Sequence, residues 1–292
     1  MSFSGKYILA AIDGTSSRNW KNQDWSNSHT FRFYNDFNPS GGNKKYFEGP
    51  GGDESFFFNP EKIGILLPRN ALTQLILPAS IDMGTFVGMG TDEIIKDAIS
   101  FITKNSKRIT GQKLDRRFLI LNKKDQSQLR KATENKLRIC LIGHSRGAYA
   151  CIAIAYKLPL PVYFMGLYDA VDRHFTSGDI DPNIIRNVDY VAHALRSPKV
   201  ESRTSFGNTG KFTEGKKMEM EFFTTHGGIG GAYDPYPKYP LIDDLGHFCD
   251  ASTLAAAIQK TLGYDRKEEC ESQSEAADIW LRDRARALGL KV

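Results

Sequence analysis

Leu137-Arg-Ile-Cys-Leu-Ile-Gly-His-Ser-Arg-Gly-Ala-Tyr149 is the stretch on which the fold turns. Residues 137–142 form an apolar run of strand length. Gly143-His144-Ser145-Arg146-Gly147 then places a serine between two glycines, and Ala148 to Lys157 is rich in Ala, Tyr and Ile, as a buried helix would be. A serine on a tight turn between a strand and a helix is the nucleophile elbow of an α/β-hydrolase. Such a serine needs a base and an acid that orients the base, so the rest of the chain is read for those two groups.

Apolar runs on both sides of the elbow fit a mostly parallel sheet with covering helices. Tyr7-Ile-Leu-Ala-Ala-Ile12 is apolar throughout, as a strand buried on both faces requires, and it ends in Asp13-Gly14-Thr15. Lys45-Tyr-Phe-Glu-Gly-Pro-Gly-Gly52 reads as a second strand entering a glycine loop. Asp92–Ile102 carries Ile94, Ile95, Ala98, Ile99 and Ile102 at helical spacing, with Thr91 as its cap. Pro161–Leu167, Val188–Ala194 and Met218–Thr224 read as strands, and Ala276–Leu288 as an amphipathic helix with Trp280 and Leu281 inward. A chain of 292 residues fits one α/β-hydrolase domain spanning 1–292. Loop insertions are expected at about 27–60 and 265–274. The irregular apolar stretch at 63–83 is expected to be a lid or cleft wall, because Pro68, Arg69, Pro78 and Asp82 interrupt it.

The order Ser, then Asp, then His is present. Ser145 comes first, Asp169 follows the next apolar strand, and His226 follows the last strand and opens Gly227-Gly-Ile-Gly-Gly231. Asp172 is the alternative acid. His174, His193 and His247 are rival bases, and His144 cannot easily turn toward the serine from the same elbow. The oxyanion hole is expected to use the backbone N–H of Arg146 and a second N–H from Gly14 or Thr15. Asp13 is read as shaping that loop through hydrogen bonds, with cation binding the alternative. No cofactor or metal set is read from the spacing of ligating residues.

Charge and cysteine usage narrow the class. Thirty-nine Lys and Arg against 34 Asp and Glu give a net charge of +5, and the basic region 104–136 is interrupted by acids. This argues against a nucleic-acid partner, while transient contact with an anionic membrane surface is compatible with it. The four cysteines show no Cys-x-x-Cys pair or zinc spacing, which fits a reducing compartment. The first residues do not read as a signal peptide, and no run of eighteen apolar residues occurs. The chain is therefore expected to be cytoplasmic when made.

Several stretches together resemble the DUF2235 family of α/β-hydrolase domains, which includes one class of type VI secretion lipase effectors. They are Ala11-Ile-Asp-Gly-Thr15, Tyr46–Gly52, Gly88–Ala98, Gly143-His-Ser-Arg-Gly-Ala-Tyr149, Gly166-Leu-Tyr-Asp-Ala-Val171 and His226-Gly-Gly-Ile-Gly-Gly-Ala-Tyr233. His193-Ala-Leu195 with Arg203 and Phe206, and the tail 276–288, add weaker matches. The resemblance implies a Ser-Asp-His triad at Ser145, Asp169 and His226, and a lipase or phospholipase acting on a lipid ester. It also implies export by a contact-dependent secretion system, with a secretion or immunity partner. Two departures stand out: Gly228 replaces a frequent Asp, and Phe222-Phe-Thr-Thr225 replaces a Trp-Phe-x-Gly lead-in. Read from the residues alone, a small-ester or amide hydrolase is the alternative, and a non-catalytic interaction module that keeps the fold is another.

Overall fold

Six parallel strands build the centre of the protein. The structure, a computed structural model, describes residues 5–14, 28–38, 43–49, 90–111, 120–171, 187–197, 216–224, 226–231, 241–242, 248–249 and 267–292. The strands are β1 (Lys6–Ile12), β2 (Asn43–Phe47), β3 (Leu137–His144), β4 (Val162–Tyr168), β5 (Val188–Arg196) and β6 (Lys216–Phe222). Their order across the sheet is β2-β1-β3-β4-β5-β6, and every pairing is parallel. A separate antiparallel pair joins β7 (Leu241–Ile242) to β8 (Phe248–Cys249).

Helices cover both faces. On one side lie α1 (His29–Asp36) and α6 (Lys267–Ala287). On the other lie α2 (Thr91–Thr110), α3 (Lys123–Thr133) and α4 (Arg146–Lys157). A short helix, α5 (His226–Ile229), follows β6. The two cores explain why the strands are apolar throughout rather than alternating. In β1, Ile8, Ala10 and Ile12 enter the core under α2 and α4, while Tyr7, Leu9 and Ala11 enter the one under α1 and α6. In β3, Ile139 and Leu141 face the first core and Cys140 and Ile142 the second.

Sequence and structure agree on an α/β architecture with flanking helices, the expected mostly parallel central sheet being parallel throughout, and they differ in detail at three places. The stretch expected as an insertion at 27–60 contains α1, which buries Phe33, and β2, which is the edge strand of the central sheet. The second strand read from Lys45 onward is β2, and its polar composition (Asn-Lys-Lys-Tyr-Phe) suits an edge position. Residues 267–274 belong to α6 rather than to a loop. Helix α2 is capped by Gly90 at φ 91°, and Thr91 is its first residue. The expected lid at 63–83 lies outside the described residues. Among the described residues no helix is long and apolar enough to cross a membrane.

The topology also locates a crevice. From β1 the chain moves outward to β2, then returns across β1 to place β3 on its other side. The carboxyl ends of β1 and β3 therefore flank a topological switch point, where open α/β sheets bind ligands. Asp13 and Gly14 follow β1 there, and Ser145 follows β3.

Candidate active site

Ser145 sits at φ 56°, ψ −124°, between the last residue of β3 and the first of α4. A left-handed φ on a non-glycine residue is costly and is held only where the surroundings over-determine it. Among the described residues only Ser145 and Asp169 (φ 42°) combine a side chain with such a φ. The flanking glycines permit the elbow for a steric reason. A Cβ on Gly143 would lie 2.6 Å from the Gly147 carbonyl, and one on Gly147 would collide with the carbonyl oxygens of Ile12 and Asp13. Helix α4 is thus pulled against the carboxyl end of β1, and only hydrogen atoms fit between.

His226 begins α5 and reaches both partners. Its Nε2 accepts the Ser145 Oγ hydrogen bond at 2.9 Å, and its Nδ1 donates to Asp169 Oδ2 at 2.7 Å. All three residues are buried. The three side chains form a serine-hydrolase triad. It has the order that sequence suggested, with each member at the carboxyl end of a different strand. Burial alone would raise the Asp169 carboxyl. The hydrogen bond from His226, the charge of that ring and then the charge of Arg196 hold it below the usual carboxylate range. Asp169 therefore stays ionised and keeps the His226 proton on Nδ1, leaving Nε2 to take the serine proton.

The base loop is fastened from three sides. His144 Nε2 donates to the His226 carbonyl at 3.1 Å, and the two rings lie 5.0 Å apart. His29 Nδ1 donates to the Ile229 carbonyl at 2.9 Å, and the His29 backbone N–H to that of Gly230. Ser274 Oγ of α6 donates to the Gly228 carbonyl. His144 lies between Gly14 and Gly230, and a Cβ on either would strike its ring. Burial and the nearby His226 push His144 down to about 3, and burial pushes His193 down to about 4. Both are neutral near pH 7. His193 Nε2 accepts the Ala170 N–H at 3.2 Å, one residue beyond the acid, so its proton rests on Nδ1.

Arg146 is the first residue of α4, directly after the nucleophile, where the oxyanion donor of a nucleophile elbow is expected. The Gly14 N–H is not available in the same way, because it donates to Asp13 Oδ1 at 2.8 Å. Thr15, the other half of that expectation, lies outside the described residues, as do the alternative acid Asp172 and the rivals His174 and His247. The rival His193 braces the acid loop instead of facing Ser145. Asp13 Oδ2 accepts from Ser28 Oγ and, at 2.8 Å, from Tyr46 Oη. All of these partners are donors, which fits the expected loop-shaping role. His29, Glu275 and Asp278 present ligand atoms within 4.8 Å of one another. The Arg32 guanidinium already fills that trio, donating to both Glu275 oxygens at 2.7 and 3.1 Å and lying 3.3 Å from Asp278.

Sequence reasoning missed Arg196, Ser28, Tyr46 and Ser274, and gave His144 no role. Only the GHS tripeptide carried a local signal, since a histidine next to the nucleophile must sit within reach of the base loop. The others come from distant segments.

No protein-family model and no curated protein matches the chain. A solved structure described as an uncharacterized protein from Pseudomonas aeruginosa is similar at 16% identity with a TM-score of 0.40, over 92% of this chain and 46% of that one. The chain thus spans less than half the length of that protein.

Proposed function

We propose that the protein is a serine ester hydrolase of the DUF2235 type that cleaves a lipid ester, with phospholipid the foremost substrate class. The observation that carries the ester-hydrolase reading is the continuous Ser145–His226–Asp169 relay at the switch point of the sheet. The lipid preference and export by a secretion system rest on the sequence resemblance.

Catalysis follows from the geometry. His226 Nε2 takes the proton as Ser145 Oγ attacks the ester carbonyl. Negative charge develops on the carbonyl oxygen and is met by the Arg146 N–H at the start of α4; a donor of this kind lowers the barrier by roughly 3–4 kcal/mol. The tetrahedral intermediate collapses, His226 returns the proton to the leaving alcohol, and an acyl-enzyme remains on Ser145. A water deprotonated by His226 then releases the carboxylic acid. Asp169 stabilises the imidazolium at both stages without taking its proton.

The test compares fatty-acid release from mixed phospholipid vesicles with hydrolysis of a short soluble ester, for the wild type and Ser145→Ala. Release that disappears in the variant and exceeds short-ester turnover supports the lipid reading. Equal or opposite preference overturns the lipid claim. Failure of a fluorophosphonate to label Ser145 in the folded protein overturns the hydrolase itself.

A further inference from the structure

The triad acid has a second partner that the hydrolase mechanism does not use. Arg196, the last residue of β5, places Nε 3.3 Å from Asp169 Oδ2, the same oxygen that accepts from His226. Its backbone N–H also points at Asp169 Oδ1, 3.5 Å away. The Arg196 side chain is only 12% exposed, so water screens its charge weakly. Asp169 is its one ion-pair partner among the described residues, and its buried Nη1 has no hydrogen-bond acceptor there. Among the described residues the charge of this guanidinium is therefore directed at the triad acid.

We propose that Arg196 is a positioning residue whose charge, acting through Asp169, sets the pH at which His226 can serve as the base. The inference rests on the serine-hydrolase reading and goes beyond it. An imidazolium at His226 shares the Asp169 carboxylate with Arg196. Both cations touch Oδ2, so they lie within about 6 Å of each other. Arg196 thus offsets part of the stabilisation that Asp169 gives to protonated His226. The imidazole stays unprotonated, and competent as a base, to lower pH than with Asp169 alone.

The other groups around His226 do not duplicate this effect. His144 of β3, its ring tilted against that of His226, and His193 of β5 are neutral in the working range. His29 of α1 is buried and also lowered by its burial. Glu275 and Asp278 of α6 are engaged by Arg32, and Asp278 also by Arg282. Ser145 is uncharged. Asp169 touches the base directly, and Arg196 reaches it only through the shared Asp169 Oδ2.

The experiment is the pH profile of kcat/KM for p-nitrophenyl butyrate from pH 4.5 to 9, measured for the wild type, Arg196→Met, Arg196→Gln and Arg196→Lys. Two charges about 6 Å apart at an effective dielectric between that of a protein surface and that of water interact by roughly 0.5 to 2 pH units. The acid limb of the Met and Gln variants is expected to rise by about one pH unit, and that of the Lys variant to stay near the wild type. A residue that only packs against the acid would lower kcat/KM at every pH and leave the limb in place. Coincident limbs in a folded neutral variant overturn the proposal. The Gln variant, which keeps length and N–H groups, stands in where Met does not fold. A ¹⁵N-imidazole titration of His226 reads the same displacement without substrate. Unchanged titration in the neutral variants overturns the role of Arg196, whereas displaced titration in a protein that cleaves no ester supports that role and overturns the ester reading.

Discussion

Acid should dismantle the base loop before it titrates the triad carboxylate. His144 is held at about 3 and His193 at about 4, against 6.5 for an ordinary histidine. A folded-state value below the unfolded one means that the unfolded chain binds more protons between the two, so stability rises with pH across that window and falls on acidification. At pH 5 each imidazole is charged in the unfolded chain and neutral in the folded one. The loss from pH 7 to pH 5 is about 2 kcal/mol per histidine, or about 4 kcal/mol for the pair. That is a large share of the roughly 5–15 kcal/mol that holds a typical domain together. His29, lowered by burial, acts in the same direction, while Asp189, raised by burial, acts against it. The decisive comparison is therefore between the wild type and His144→Gln. Urea unfolding at pH 7, 6 and 5 should show the variant less stable at pH 7, because the bond to the His226 carbonyl is weakened. It should also show the variant losing about 2 kcal/mol less than the wild type on going to pH 5. Equal acid losses in the two proteins would mean that His144 is not the buried neutral group described here.

Three other substitutions probe the site. Asp169→Asn should leave the protein folded and reduce kcat by about 10⁴-fold in an ester assay, because an amide no longer holds the Nδ1–H tautomer of His226. Gly147→Ala drives a methyl group into the Ile12 and Asp13 carbonyls and should cost at least about 1–3 kcal/mol, read as a lowered melting temperature together with lost serine labelling. Tyr46→Phe removes one donor from the buried Asp13 carboxylate and should destabilise by about 1–3 kcal/mol in thermal unfolding.

Much of this protein was legible along the chain because its signals are local. Apolar runs of strand length disclose strands covered on both faces, and a serine between two glycines discloses a turn. Order along the chain then points to His226 and to an acid after the next strand, while the choice of Asp169 over Asp172 came from the His226–Asp169 hydrogen bond. Edge strand β2 was harder to place because an edge position tolerates the lysines that a central strand excludes. Likewise α1 lies in a polar stretch whose three buried residues, His29, Thr30 and Phe33, do not look like a core.

Residues 137–149 by themselves determine a strand, a forced turn and a helix, and with Asp169 and His226 they determine the class of chemistry. Periodicity and steric limits act between neighbours, so they are written in the chain. The tertiary structure alone decides that Arg196 shares an oxygen with the triad base, that His144 turns to the His226 carbonyl, and that Asp13 takes the Gly14 N–H away from the oxyanion hole. Each of these depends on the direction of a side chain or a backbone N–H across the strand ends, set by β1, β3, β4 and β5 lying side by side. No spacing along the chain encodes that direction.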